Sequence, residues 1–144
     1  MDTIYLFTRQ WFFYERLKSL AKLVLGRPAG GPEAVIASLE RGLPELGQNY
    51  IINNSWRGEA ELAVVLTGAK TLKWAIGQKN KGKIKHLVAG PDVGMPKDNR
   101  GLIFDPAIDI FLLPSPWVVE FCSSFNPAFK NKASVFGPPS TIIL

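Results

Sequence analysis

Two carboxylates and a short series of small residues are the side chains here whose type and spacing can do chemistry. Asp92 follows the apolar run His86-Leu87-Val88-Ala89-Gly90-Pro91. A carboxylate just past a strand end is free to accept a hydrogen bond from a hydroxyl and remove its proton, so Asp92 is the best placed general base. An ordinary turn aspartate is the other reading of that position. Glu33 stands one residue after Gly30-Gly31-Pro32. It is the second candidate base, and stabilisation of a helix start by its charge explains it as well. Gly30 and Gly31 allow a ligand to touch backbone N–H groups at a helix start, where phosphate or carboxylate is attracted. This loop matches neither a P-loop nor the full dinucleotide fingerprint.

Three apolar runs must position these groups. Ala63 to Gly68, His86 to Pro91 and Ile108 to Ser115 are rich in branched residues and lack alternation, as strands buried on both faces of a parallel sheet do. Their carboxyl ends border the ligand crevice in such a sheet. Strands are also predicted at Ile4–Phe7, at 50–53 and at 133–136, with the three runs contributing strands at 62–67, 85–89 and 108–113. Gly90 to Asp105 reads as a loop over the sheet edge.

Helices are predicted over 11–25, from Pro32 to a kink or stop near 43 imposed by Pro44, over 70–78 with Leu72, Ala75 and Ile76 inward, and from Ser115-Pro116-Trp117 onward, with Ser115 as the cap. Alternating strands and helices give an α/β, Rossmann-like three-layer domain. Its sheet has five to six mainly parallel strands, and residues 1–144 form a single domain.

The chain has 144 residues, 47% of them hydrophobic, and a net charge of +5. This excess suits an anionic small molecule or a phospholipid surface. The lysines between Lys79 and Lys85 have no aromatic residues among them, so nucleic acid is not an expected partner. Cys122, the one cysteine, rules out an internal disulfide or a multi-cysteine metal site, and reads as a small buried hydrophobe. No metal or cofactor is expected. The single histidine, His86, opens an apolar run and has no nucleophile elbow to serve, which argues against a hydrolase triad.

No apolar run reaches the roughly 18 residues a membrane span needs, and no signal peptide is visible, so a cytoplasmic protein is expected. Trp11, Phe12, Phe13, Tyr14, Leu17, Leu20 and Val24, with Arg16, Lys18, Lys22 and Arg27 beside them, make an amphipathic helix. It either covers one face of the sheet or lies peripherally on the anionic inner face of a membrane. The apolar ending Ile142-Ile143-Leu144 favours a homo-oligomer.

The order Gly30-Gly31-Pro32, Ile36, Leu39, Gly42-Leu43, Leu46-Gly47, Asn53, Leu66-Thr67-Gly68, Trp74-Ala75-Ile76, the Lys-Gly-Lys-Ile turn at 81–84, Ala89-Gly90-Pro91, Asp109 and Pro114-Ser115-x-Trp117 resembles the amino-terminal half of bacterial GT-B type glycosyltransferases. In that family two Rossmann-like domains face each other. The amino-terminal one mainly holds the sugar acceptor and the carboxyl-terminal one most of the nucleotide sugar. The resemblance implies that Gly30, Gly31, Gly90, Pro91, Ser115 and Trp117 line the crevice, with Asn53 and Gly68 at neighbouring strand ends. It also implies a donor-binding domain outside these 144 residues. Such sequences more often carry Asn where Asp92 stands, and Pro44 shortens a helix that is normally continuous. A non-catalytic nucleotide-binding or regulatory module is the alternative. The missing third glycine, and Asn53-Asn54 where a dinucleotide fold has an acid, speak against a dinucleotide.

Overall fold

The computed structural model describes residues 3–27, 31–53, 56–92, 102, 104–113 and 115–135, with backbone only for 31–35 and 91–92. The chain folds as an α/β domain around six parallel strands: β1 (Ile4–Phe7), β2 (Tyr50–Ile52), β3 (Ala60–Thr67), β4 (Ile84–Asp92), β5 (Ile110–Leu113) and β6 (Ala133–Val135). Their order is β2-β1-β3-β4-β5-β6, and every pairing is parallel. Helices α1 (Phe13–Val24) and α2 (Gly31–Gly42) connect β1 to β2. Helix α3 (Ala69–Asn80) joins β3 to β4, and α4 (Pro116–Phe125) leads from β5 towards β6.

Side chains alternate across the strands and build two unequal layers. One face carries Tyr5, Phe7, Ala63, Val65, Leu87, Ala89, Phe111 and Leu113, covered by Leu72, Ala75 and Ile76 of α3 and by Val119 and Cys122 of α4. The other gathers Leu6, Val64, Leu66 and Val88 beneath Leu39 of α2 and Leu43. Helix α2 stops at Gly42, and Pro44 lies in a 3₁₀ turn over Leu43–Leu46, as the sequence predicted. Cys122 is fully buried, and burial raises its thiol pKa.

Phe7 is the hub of the larger layer. It is 1% exposed, and its ring lies 5.0 Å from Trp11, 5.0 Å from Trp74 and 5.7 Å from Trp56, mostly edge to face. Trp74, expected at a helix edge, therefore belongs to this aromatic packing. Edge-to-face geometry sets the positive ring edge against the negative face and adds to area burial.

Three local expectations are corrected. Strand β4 runs through Gly90 and Pro91 to Asp92, and Asp92 stands in register with Thr67, so these residues extend the strand and the loop begins later. A Cβ on Gly90 would come within 2.9 Å of Leu66 Cα, so the absence of a side chain lets β4 approach β3. Ser115 occupies the position before α4 but makes no capping side-chain hydrogen bond, and Pro116 alone supplies the helix-start signal. The third concerns α1, which does not cover the sheet and has no buried residue.

At the amino edge of the sheet Asp109 ties three elements together. Its Oδ2 accepts from Leu87 N–H at 2.7 Å and pairs with Lys79 at the end of α3, while its own N–H donates to Leu87 O at 2.9 Å. Burial pushes its pKa up, but the Lys79 hydrogen bond, the Leu87 N–H and the charges of Lys79 and His86 outweigh this and lower it below the ordinary value.

Two outcomes are expected. Phe7→Ala removes the aromatic hub and should cost about 3–5 kcal/mol in urea unfolding; a loss below about 1 kcal/mol would show that Trp11, Trp56 and Trp74 pack without it. For Asp109, a lowered folded pKa means stabilisation that is present above the unfolded pKa and lost as pH falls through the folded one. Asp109→Asn should therefore be less stable than the parent at pH 7, and the gap should narrow in unfolding curves taken at pH 3. A gap constant with pH would assign the effect to packing.

Candidate functional site

The strand order places a topological switch point between β1 and β3, because the chain leaves β1 towards β2 on one side and leaves β3 towards β4 on the other. At such a point the connections part above the carboxyl ends of the strands and open a crevice, the usual ligand position in open α/β sheets. A cavity of about 320 Å³ lies there, lined by Arg9, Phe12, Glu15 and Gly68–Thr71.

Its foundation is polar and buried. Thr8, Asn53, Thr67 and Thr71 are the buried polar residues among those described, and all four meet at these strand ends. Asn53 Oδ1 accepts from Thr8 N–H at 2.8 Å, and Asn53 Nδ2 donates to Thr8 Oγ1. Thr67 Oγ1 accepts from Arg9 N–H at 2.7 Å, and Thr71 Oγ1 donates to Thr8 O at 3.2 Å. Asn53 holds φ +47°, a left-handed conformation that asparagine tolerates better than most residues, and its N–H donates to Leu6 O. The carboxyl ends of β1, β2 and β3 are thus locked together directly below the cavity.

Above this base the cavity carries the cations Arg9 and Lys70 against one carboxylate, Glu15, a net positive lining that favours an anion. Arg9 and Lys70 stand at its rim, and Arg9 Nε is 3.2 Å from Glu15 Oε2. The first turn of α3 opens at Gly68, where a φ of +92° favours glycine and an added Cβ would come within 3.1 Å of Arg9 Cα. Backbone N–H groups in the first turn of a helix have no partner inside it, and the helix dipole adds positive potential there. Phosphate or carboxylate oxygens suit this end of the cavity, with threonine and arginine groups beside them for hydroxyls.

The sequence-predicted residues spread along the same carboxyl edge. Asn53 and Gly68 belong to the base and rim just described. Gly90, Pro91 and Asp92 end β4, and the register of Asp92 against Thr67 sets its backbone one strand from the cavity. Ser115 and Trp117 open α4 after β5; Trp117 is exposed and stacks on Phe121 at 5.4 Å. Gly31 opens α2. Gly30, the side chains of Glu33, Pro91 and Asp92, and the ending Ile142-Ile143-Leu144 lie outside the described residues.

Thr8, Arg9, Thr67, Lys70 and Thr71 went unnoticed as site residues in the sequence. One signal was available: Thr8-Arg9 follows a strand candidate and Thr67-Gly68 another, so both pairs are strand-end residues of the kind sought after β4. A larger cavity, about 410 Å³, lies on the α2 face among Ile4, Leu62, His86, Asp109 and Ile110. It sits at the amino ends of the strands, away from the switch point. His86, half exposed, stands there 4.0 Å from Glu61.

Asn53→Ala should lower stability by about 1–3 kcal/mol, because the Thr8 N–H and hydroxyl lose their buried partner, with a further cost for alanine at positive φ. An unchanged urea midpoint would remove the carboxamide from the structural account. Neither family models nor curated proteins nor solved structures contain a match to this chain.

Proposed function

We propose that this chain is the acceptor-holding domain of a glycosyltransferase, receiving a hydroxyl acceptor that carries a phosphate or another anion. The observation that carries the reading is the crevice at the switch point, where Arg9, Lys70 and the first turn of α3 converge above a fixed polar base. The resemblance of the residue order to GT-B acceptor domains supports it, as does the position of Asn53, Gly68, Gly90 and Ser115 along one sheet edge. The cytoplasm, or the inner face of a membrane, is the location this reading implies.

In this role the domain contributes position more than covalent chemistry. Holding an acceptor by its anion restricts its hydroxyl to one place, and such restriction removes a large part of the entropic barrier to transfer. Asp92, as the base, would take the hydroxyl proton as the oxygen attacks the anomeric carbon. The nucleoside diphosphate then leaves with the bonding electrons, and its charge is stabilised by the facing donor domain.

An NMR titration of backbone amides tests the reading. Glucose 1-phosphate, as a minimal sugar-bearing phosphate, should shift Arg9 and Gly68–Thr71, and Lys70→Glu should weaken that binding about tenfold. UDP-glucose should bind no more tightly than glucose 1-phosphate. Micromolar binding of UDP-glucose or of NAD at the crevice would overturn the assignment and make the chain a nucleotide-binding module.

A further inference from the structure

We infer that α1 is a docking surface for an anionic phospholipid bilayer. The helix is mounted on the domain by its polar side. Ser19 Oγ accepts from Gln10 Nε2 at 2.8 Å, Glu15 pairs with Arg9, and Arg16 donates to Gln10 O at 2.9 Å and to Asn53 O. Glu15 and Ser19 lie one turn apart on one side of the helix and are among its less exposed residues. Phe13, Leu17, Leu20 and Val24 follow helical spacing on the other side, and they are 74%, 48%, 59% and 80% exposed. A helix that covers a sheet shows the reverse, apolar side inward. Here the fold spends the polar stripe on attachment and turns three turns of apolar side chains outward.

Charge selects the occupant. Between Arg9 and Arg27 the chain has five cations and one carboxylate, Glu15, already paired with Arg9. Lys18 and Lys22 lie on the polar side of the helix, across from the apolar face, and Lys18 Nζ lies 5.4 Å from the Tyr14 ring centroid. A second copy of α1 would set cations against cations with no free acid to meet them. A bilayer with anionic headgroups accepts both parts at once: the apolar face enters the acyl boundary and the lysines remain among the headgroups. Among the described residues no helix is long and apolar enough to cross a membrane, so the contact lies in the plane of the interface.

The root of α1 borders the cavity at the switch point, because Phe12 and Glu15 line it. A chain docked through α1 therefore holds that cavity beside the headgroup layer. The inference rests on the orientation of α1 and not on the sugar-transfer reading.

Co-sedimentation of the full chain with vesicles provides the test. Vesicles of phosphatidylglycerol and phosphatidylcholine should bind the chain, pure phosphatidylcholine should bind it at least tenfold more weakly, and added salt should weaken the anionic binding. Lys18→Glu with Lys22→Glu should reduce binding tenfold or more. Leu20→Asn with Val24→Asn should do the same, with circular dichroism and thermal midpoint kept near the parent's because both leucine and valine are exposed. Equal partition onto neutral vesicles, or binding unaffected by either double variant, would overturn the inference. So would light scattering that shows a dimer of the parent dispersed by the Leu20/Val24 variant, since the apolar face would then belong to a second copy. None of these arms contains a sugar donor, and none of the substituted residues lines the crevice, so failure here leaves the crevice reading standing, and the reverse also holds.

Discussion

The exchange of hydrogen bonds between Asn53 and Thr8 is the constraint on which the carboxyl edge of this sheet depends. Parallel strands leave their last backbone groups without ladder partners, and buried groups of that kind are costly unless something satisfies them. One carboxamide meets both the N–H and the hydroxyl of Thr8. Thr67 and Thr71 then take the N–H of Arg9 and the carbonyl of Thr8. The consequence is positional: Arg9 and the start of α3 cannot drift apart, so the anion-favouring end of the cavity is set before any ligand arrives.

Beneath this polar lock the aromatic packing around Phe7 supplies rigidity from one side of the sheet. Trp11 follows β1 by four residues, Trp56 precedes β3 and Trp74 lies within α3, so one cluster fastens the very segments that frame the cavity. At the opposite edge the Lys79–Asp109 pair joins the end of α3 to β4 and the entry of β5. Helix α3 is thus fixed at both ends, by Thr71 at its start and Lys79 at its finish, and its dipole keeps a constant direction towards the crevice.

Helix α1 stands apart from this economy. Its amphipathic pattern is strong, yet burial of the sheet is achieved by α2, α3 and α4 without it. The polar contacts of Glu15, Arg16 and Ser19 attach it to the domain, and Phe13, Leu17, Leu20 and Val24 stay exposed. One stretch of sequence therefore serves two neighbours, the cavity through Phe12 and Glu15 and the exterior through Leu17, Leu20 and Val24.

Local pattern by itself determined the alternation of strands and helices, the parallel sheet, the stop of α2 just before Pro44 and the inward face of Leu72, Ala75 and Ile76, because each depends on residue type and short-range period. Gly90 was noticed for its smallness, but only the packed sheet reveals that Leu66 demands it. Asn53 was legible as a strand-end residue, while its bonds to Thr8, 45 positions away, come from strand order, which no local period encodes. The same holds for Arg9, Thr67 and Lys70: each looks ordinary alone, and the switch point between β1 and β3 makes them neighbours. The amphipathicity of α1 was written in its period, but a helical period is symmetric between inside and outside. Which side faces the domain was decided by Gln10, Arg9 and Asn53, the partners that hold its polar stripe in the folded chain.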